Sequence, residues 1–568
     1  MAEKKKSEVN SSSKNESKNG PSLTAEDLAK KQRDISVAEF FEKNRHLLGF
    51  DNPRKALLTA IKEAVDNALD ACEESRILPE ISVEIIEMSE NRFRIIIEDN
   101  GPGIVKAQIP KIFAKLLYGS KFHRLRQSRG QQGIGISAAV MFAQLTTGRP
   151  TKIISKIGNG KPAHYMELHL NTQNNSPEIM VDEEKEWNKD HGTKIEMDLE
   201  GSYIKGSQSV DEYLRQTAII NPHATIIYTN PKAEQFVYAR ATDQLPKEPL
   251  EIKPHPYGLE LGILMKMLKN TDEKSLKAFL MNDLSRVGAG TVAEICNNAL
   301  IDPKKNPHEL SMQDTEKLIQ AIKNTRIMAP TTDCLSPIGE YLIEKSLKKE
   351  INAEFYTAVS RPVFVYRGNP FQIEIGMAYG GNQSREDNAL LMRFANRVPL
   401  LYQQGACAFT KSVVTTNWKS YGIQQSNGAM PTGPLTILVH MSSVWVPFTS
   451  ESKEALAHYP EIIKEIKLAI QEAGRRLQIY VKKKNRVQNQ LERANLFEKY
   501  MPEVAYSVAE LTGENKDKIL EKLKEMTKKE EIQNQIYEME SLKGEADEDD
   551  DKSKKSKDDD ETQEEIEE

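Results

Sequence analysis

Glu63 and Asn67 stand four residues apart in the run RKALLTAIKEAVDNALDACEE, residues 54–74. On a helix that spacing puts a carboxylate and an amide on one face. The carboxylate can orient or deprotonate a water, and the amide can hold Mg²⁺ beside nucleotide phosphates. Leu57, Ile61, Ala64, Val65 and Ala68 form an apolar stripe. At about 100° per residue the polar pair lies well over 90° from the centre of that stripe, so the helix can pack behind a site it serves. An isolated Glu-x-x-x-Asn is more often a plain solvated face. A second group, Asp99-Asn100-Gly101-Pro102-Gly103, ends a strand-like run. Asp99 can accept a hydrogen bond from an adenine amino group, while Gly101 and Gly103 permit positive φ and close approach of a base; alone, this is a common Asp-Gly turn. A third, Arg129-Gly130-Gln131-Gln132-Gly133-Ile134-Gly135-Ile136, precedes Ser137-Ala138-Ala139-Val140. Its small residues let backbone N–H groups wrap phosphate oxygens at a helix N-terminus. No Gly-Lys-Ser/Thr closes it, so it is not a Walker A loop.

The elements that must carry these groups are legible in outline. After the 54–74 helix come strand-like ISVEIIEM and RFRIIIED, split by Ser89-Glu90-Asn91. A helix is predicted at about 136–147, and strands at 152–157, 163–170, 193–199 and 224–229. This is a mixed α/β layer sandwich without the βαβ alternation of a dinucleotide-binding fold. Pro/His-rich sequence at 246–258 suggests a boundary. Helical patterns dominate 259–350, and strand-like segments return at 355–379, 392–402 and 434–447. A long charged helix is predicted from near Ser452 into the 490s, and a weaker helical region at 503–540.

A chain of 568 residues is too long for one core and implies about three domains. A hydrophobic content of 38% suits a soluble protein with polar tails. No apolar run is long enough for a bilayer, so no membrane role is expected. Ser/Asn-rich sequence follows Lys4-Lys5-Lys6, which argues against a secretory signal. Cys72, Cys296, Cys334 and Cys407 show neither zinc spacing nor a disulfide framework. The formal charge of −6 divides into −9 for residues 543–568 and +3 for the remainder. Contact with a polyanion would therefore come from local patches, not from bulk charge.

Taken in order and spacing, the three pocket elements resemble the GHKL family of ATPases, which includes DNA gyrase, a heat-shock chaperone, histidine kinases and mismatch-repair ATPases. The resemblance implies ATP and Mg²⁺ as cofactors, Glu63 as general base, Asn67 as the Mg²⁺ ligand and Asp99 as the adenine partner, with Gly101 and Gly103 beside it. It implies a lid at 129–136, nucleotide contacts at Ser120 and Lys121, and Thr193 of His-Gly-Thr behind the aspartate. Histidine kinases generally lack the water-activating Glu, and no phospho-acceptor helix precedes this pocket. Phe40-Phe41-Glu42-Lys43-Asn44-Arg45, Asn396-Arg397-Val398-Pro399-Leu400 and Trp445-Val446-Pro447-Phe448-Thr449-Ser450-Glu451-Ser452-Lys453 narrow the choice. They closely resemble the topoisomerase VI B-subunit family, of the type IIB topoisomerases, over about residues 30–500.

That second resemblance implies an order of parts: a tail at 1–22, a GHKL ATPase domain at 23–245 whose residues 30–50 swap between copies, a helix-two-turn-helix domain at 246–350, and a transducer with a stalk helix at 351–500. A helical segment at 501–540 and an acidic tail at 541–568 would follow, both tails being expected to be disordered. It implies that Lys453 reaches the γ-phosphate from the transducer, that ATP dimerises the chain, and that a tyrosine-bearing A subunit, in an A2B2 heterotetramer, cuts double-stranded DNA. A cytoplasmic, nucleoid-associated, archaeal protein is the corresponding expectation. Lysines of the 259–350 module are as readily a solvated face as a phosphate contact. Trp418-Lys419-Ser420-Tyr421 interleaves aromatic and basic residues. Trp418, Lys419 and Tyr421 are candidate DNA contacts, against the reading of a buried Trp and Tyr beside a surface lysine. The alternative function is a GHKL chaperone or mismatch-repair-like clamp acting on protein partners, which co-purification with a DNA-cleaving partner would separate. A scaffold with a degenerate pocket is disfavoured by the intact Glu63, Asn67 and Asp99.

Overall fold

The computed structural model describes residues 28–30, 32, 34–121, 124–130, 133–450 and 452–526. Both expected tails, the second half of the 503–540 segment, and Gln131 and Gln132 of the lid lie outside the described residues.

The first layer is an eight-stranded sheet of β1 (Glu80–Ser89), β2 (Arg92–Asp99), β3 (Thr151–Lys156), β4 (Ala163–Asn171), β5 (Ser176–Lys185), β6 (Gly192–Glu200), β7 (Thr225–Thr229) and β8 (Gln235–Tyr238). Its order is β5-β4-β3-β6-β2-β1-β7-β8. Every pair is antiparallel except β1 with β7. Burial alternates along β1 and β2, so one face meets the core and the other water. The wet face carries cross-strand ion pairs, among them Arg94–Asp198 at 2.7 Å and Lys152–Glu196 at 2.9 Å. The dry face is covered by α2 (Pro53–Glu74), α4 (Gly135–Thr147) and α5 (Val210–Ile220); α1 (Val37–Lys43) and α3 (Ile109–Ala114) are short helices at its margin. α2 starts where expected because Asn52 accepts a hydrogen bond from the Lys55 N–H and Pro53 occupies the first turn. Its expected stripe is buried: Leu57, Ile61 and Val65 are fully enclosed, each contributing roughly 1.5–3 kcal/mol. β5 and β8 are edge strands that periodicity does not reveal, because their exposed residues lack alternation.

Helices α6 (Leu261–Asn270), α7 (Leu276–Asn282), α8 (Ala289–Ala299) and α9 (Met312–Asn324) bury a separate core around Phe279, Ile295 and Leu318. Helix α10 (Glu340–Glu350), at the end of the helical region, packs instead against β9 (Phe355–Ser360) and β11 (Asn369–Tyr379). Those strands join β10 (Phe364–Tyr366), β12 (Leu390–Ala395), β13 (Val398–Pro399) and β16 (Leu435–Ser443) in a second, six-stranded sheet; β14 (Gln424–Gln425) and β15 (Pro431–Thr432) form a small separate pair. All of β16 is buried, with α10 on one face and α11 (Ala408–Val414) and α12 (Pro460–Thr512) on the other. The expected start of α12 near Ser452 is corrected: the helix begins at Pro460, with proline in its first turn, and runs 53 residues through Pro502 before α13 (Lys516–Met526). The described residues between β16 and α12, 444–450 and 452–459, therefore belong to a loop, and Lys453 sits in it at φ +53°, not at a helix start.

Candidate active site

A cavity of about 610 Å³ lies between the first sheet's helices and the second sheet's loops. That volume is within the range of small-ligand sites. Glu63 and Asn67 line it from α2. Asn67 is exposed although Asp66, Ala68, Leu69 and Asp70 are all buried, so its side chain opens on the cavity from an otherwise covered stretch of helix. The Glu63 carboxylate rests on Gly135 at the start of α4. A Cβ at Gly135 would fall 2.6 Å from Glu63 Cδ, and closer still to Oε2. The glycine is there for room, since its φ is not positive.

Asp99 ends β2 opposite Thr193 on β6. Its Oδ1 accepts from the Gly101 N–H at 2.8 Å and the Thr193 N–H at 3.2 Å. Burial pushes its carboxyl up to about 6. Gly101 stands behind this aspartate, against Cys72 and Ala71, and is not part of the cavity wall. Gly103 is on the wall at φ +72°, where a Cβ would meet the Lys156 carbonyl carbon at 2.6 Å. Ser155, unremarked in the sequence, braces this corner: its Oγ lies 3.1 Å from Thr193 Oγ1 and accepts from the Ile104 N–H at 2.8 Å.

Ser120, Lys121, Gly130, Gly133, Ile134, Gly135 and Ile136 also line the cavity. The Lys121 ammonium, however, is already paired with Asp70 at 2.5 Å. Arg129 departs from the expectation of a nucleotide contact. Its guanidinium turns away from the cavity, 2.7 Å from Asp70 and 2.6 Å from Glu73, and donates to Asn221 Oδ1 at 2.6 Å. Although burial pushes the Glu73 carboxyl up, Arg129 and His223 hold it well below the usual range. The guanidinium fork pairs two carboxylates of α2 and the Asn221 amide oxygen, which ties the base of the lid to that helix.

The second sheet grips that base. Asn396 and Arg397 turn between β12 and β13 with φ +47° and +64°, the backbone a two-residue hairpin of primed type requires. Asn396 Nδ2 donates to the Ser128 carbonyl at 3.0 Å, and Arg397 donates to the Ser336 carbonyl at 2.9 Å. Gln127 in turn exchanges hydrogen bonds with Ser336. The Arg397 N–H donates to His440 Nε2 at 3.1 Å, so Nδ1 carries the proton given to the fully buried Glu374 at 2.8 Å. Lys453 enters the cavity from the loop before α12. Its ammonium donates to the Arg129 carbonyl at 3.1 Å. Burial lowers its pKa, against the field of Glu63. Among the described residues, no carboxylate pairs with it within 4.0 Å and no cluster of three metal-ligating side chains occurs.

The candidate DNA contacts are placed differently from one another. Trp418 is fully buried, and its indole N–H donates to the Val413 carbonyl at 2.8 Å. Tyr421 packs on Trp418 and against Gly474 of α12, where a Cβ would come 2.9 Å from the ring. Neither aromatic is presented for stacking, because the second core claims both; Lys419 alone is exposed. Cys72, Cys296, Cys334 and Cys407 are buried and free. Among the described residues no helix is long and apolar enough to cross a membrane.

A nucleotide-sized cavity closed by a lysine from the loop that follows the second sheet suits a two-part ATPase, and comparison with known proteins gives that class. Residues 52–199 match the description "Histidine kinase-, DNA gyrase B-, and HSP90-like ATPase", and residues 330–493 match "Topoisomerase VI B subunit, transducer". The B-subunit of type 2 DNA topoisomerase 6 from Methanococcoides burtonii is 53% identical over 86% of this chain and 78% of its own length. Its counterpart from Archaeoglobus fulgidus is 50% identical over 85% and 80%. That from Pyrococcus horikoshii is 39% identical over 88% and 95%. The chain belongs to the topoisomerase VI B-subunit family. It is the ATP-binding component of a topoisomerase, an enzyme whose strand passage is driven by ATP.

Proposed function

We propose that ATP occupies the 610 Å³ cavity with its adenine on Asp99 and its terminal phosphate between Glu63 and Lys453. The observation that carries this reading is the convergence of these groups on one cavity from two domains. Asp99 Oδ1 is held by two backbone N–H groups, which leaves Oδ2 to accept from the adenine amino group. Thr193 and Ser155 keep that carboxylate in place. Glu63 takes a proton from the attacking water, and the glycines of the lid bring backbone N–H groups to the phosphates. Asn67 fits a Mg²⁺ ligand, being an amide open to the cavity with no hydrogen-bond partner among the described residues; when bound, the ion would neutralise phosphate charge. Lys453 reports the terminal phosphate to the second sheet, since its parking place on the Arg129 carbonyl is a neutral partner that an anion would outcompete.

Two copies, dimerised by ATP, would trap one duplex while two copies of a DNA-cleaving A subunit open another, in an A2B2 assembly. Domain limits near 23–245 for the ATPase, 246 to about 330 for the helical module and about 330–500 for the transducer suit the packing of α10 on the second sheet. Lys419, the exposed member of the Trp418 group, would be its DNA contact, through a phosphate. The test mixes the chain with its partner A subunit, ATP and linked DNA circles. Unlinking should need both proteins and should vanish with Glu63→Ala, which still binds nucleotide. Unlinking by the Glu63→Ala protein at the normal rate would overturn the assignment of the base.

A further inference from the structure

Lys55 and Glu454 bracket the cavity and have no part in the roles above. Lys55 lies in the first turn of α2, on the helix that carries Glu63 and Asn67. Glu454 directly follows Lys453. The two side chains, 11% and 7% exposed, meet across the domain boundary with Lys55 Nζ 2.5 Å from Glu454 Oε1. Gln403 Nε2 donates to the other carboxylate oxygen at 2.7 Å. Asp51 approaches Lys55 at 3.0 Å, and the Tyr402 ring centroid lies 5.5 Å from the ammonium. Glu454 is thus tied once to its own domain, through Gln403, and once to the ATPase domain.

The loop needs such a tie. Lys453 holds the left-handed backbone at φ +53°, which a β-carbon makes unfavourable and its surroundings must enforce. One side is fixed, because Ala455 and Leu456 are fully buried in the second core. Among the described residues, residues 450–456 reach the first domain by two polar contacts, the Lys453–Arg129 hydrogen bond and the Lys55–Glu454 pair. The first must break if Lys453 is to turn to a phosphate. The second can persist, and it fixes the distance between the Lys453 backbone and the helix bearing the catalytic pair.

We infer that Lys55 and Glu454 form a latch that positions Lys453 for its swing to the terminal phosphate, the pair acting as positioning residues and not as catalytic ones. This rests on the reading that Lys453 meets that phosphate. Removing Glu454 leaves the Lys55 ammonium with Asp51 alone, and removing Lys55 leaves the Glu454 carboxylate with Gln403 alone; either change cuts the tie across the domain boundary and frees the loop to drift.

The test is a double-mutant cycle on the full chain with Lys55→Met, Glu454→Gln and their combination, alongside Lys55→Arg and Lys453→Ala. ATP hydrolysis is followed as kcat and KM, with nucleotide affinity and melting temperature measured separately. Each single change should lower kcat about tenfold or more, the scale set by displacing a reacting group by an ångström or less. KM and nucleotide affinity should stay within about threefold, because the lost interaction matters after binding. The double variant should be no slower than the worse single one, and Lys55→Arg should keep most of the activity. Unchanged kcat in both single variants while Lys453→Ala is slow would overturn the latch, as would losses that multiply in the double variant. Normal turnover by Lys453→Ala would instead remove the reading beneath it, and the latch with it. Glu454→Gln preserves shape, so the cycle stays readable if Lys55→Met proves unstable.

Discussion

Replacing Gly135 by alanine should stop hydrolysis without unfolding the protein. The added Cβ would stand 2.6 Å from Glu63 Cδ. Ordinary carbon–carbon contact is about 3.5 Å, so the carboxyl carbon must retreat by at least roughly 0.9 Å, and the nearer Oε2 by more. The obstacle is the far end of a flexible side chain, and alanine is the better residue for a helix, so the fold should absorb the change; Tm should move by only a few degrees. A water held by Glu63 would move with it. An error of about 1 Å at a reacting group costs on the order of 100-fold in rate, equivalent to about 2.7 kcal/mol of barrier. Steady-state hydrolysis at saturating ATP measures kcat, and equilibrium titration with a fluorescent ATP analogue measures affinity, which should hold within about threefold. A Gly135→Ala protein that turns over normally would refute the geometry: Glu63 would then work from somewhere other than its seat on Gly135. Loss of nucleotide affinity would place the defect in the lid's phosphate cradle instead.

Three other outcomes follow from the same contacts. ATP affinity should weaken as pH falls through about 6, where Asp99 takes a proton and ceases to accept from adenine; in the nucleotide-free protein the sign for stability is opposite, since a carboxyl raised from 3.8 costs stability as pH rises through about 6. Titrating affinity and Tm between pH 5 and about 7.5 checks both, and Asp99→Asn should flatten them. Arg129→Ala should lower stability by about 3–5 kcal/mol in urea unfolding, because Asp70 and Glu73 lose a common partner; a purely nucleotide-binding Arg129 would leave unfolding unchanged. Trp418→Ala should destabilise by about 3–5 kcal/mol, whereas Lys419→Ala should leave Tm alone and reduce the salt slope of DNA binding by about 1. Equal effects of both on DNA affinity at unchanged stability would argue that the indole leaves its core.

Much of the helix carrying Glu63 and Asn67 was legible because its two signals, an apolar stripe and a polar pair, share one 3.6-residue rhythm. Asp99 was legible for a similar reason, since a strand must stop where Gly101 and Gly103 turn. The fate of Arg129 was not: within the lid its charge points toward phosphate, and only the fold brings Asp70, Glu73 and Asn221 to its far side. Trp418 and Tyr421 were ambiguous because a buried aromatic and a stacking aromatic look alike until Gly474, more than fifty residues on, is seen to make room for the ring. Lys55 and Glu454 carried no local signal at all, their pairing being a product of docking two domains. The start of α12 was misplaced because the charged sequence after Ser452 suits a helix, while the fold needs an extended loop to carry Lys453 back to the ATPase domain.

α12 has an anchored and an unanchored part. Ile462, Ile466, Ile470, Leu477 and Val481 bind its first six turns to the second sheet, and beyond Val481 most residues face water. At about 1.5 Å per residue, the remaining 482–512 stretch projects roughly 45 Å. It behaves as a lever arm: a tilt of about 10° at the sheet, too small to disturb the packing beneath it, carries the far end roughly 8 Å. A rearrangement of side-chain size around the phosphate would thereby become a displacement on the scale of a whole domain, with the stiffness of one continuous helix as the gearing.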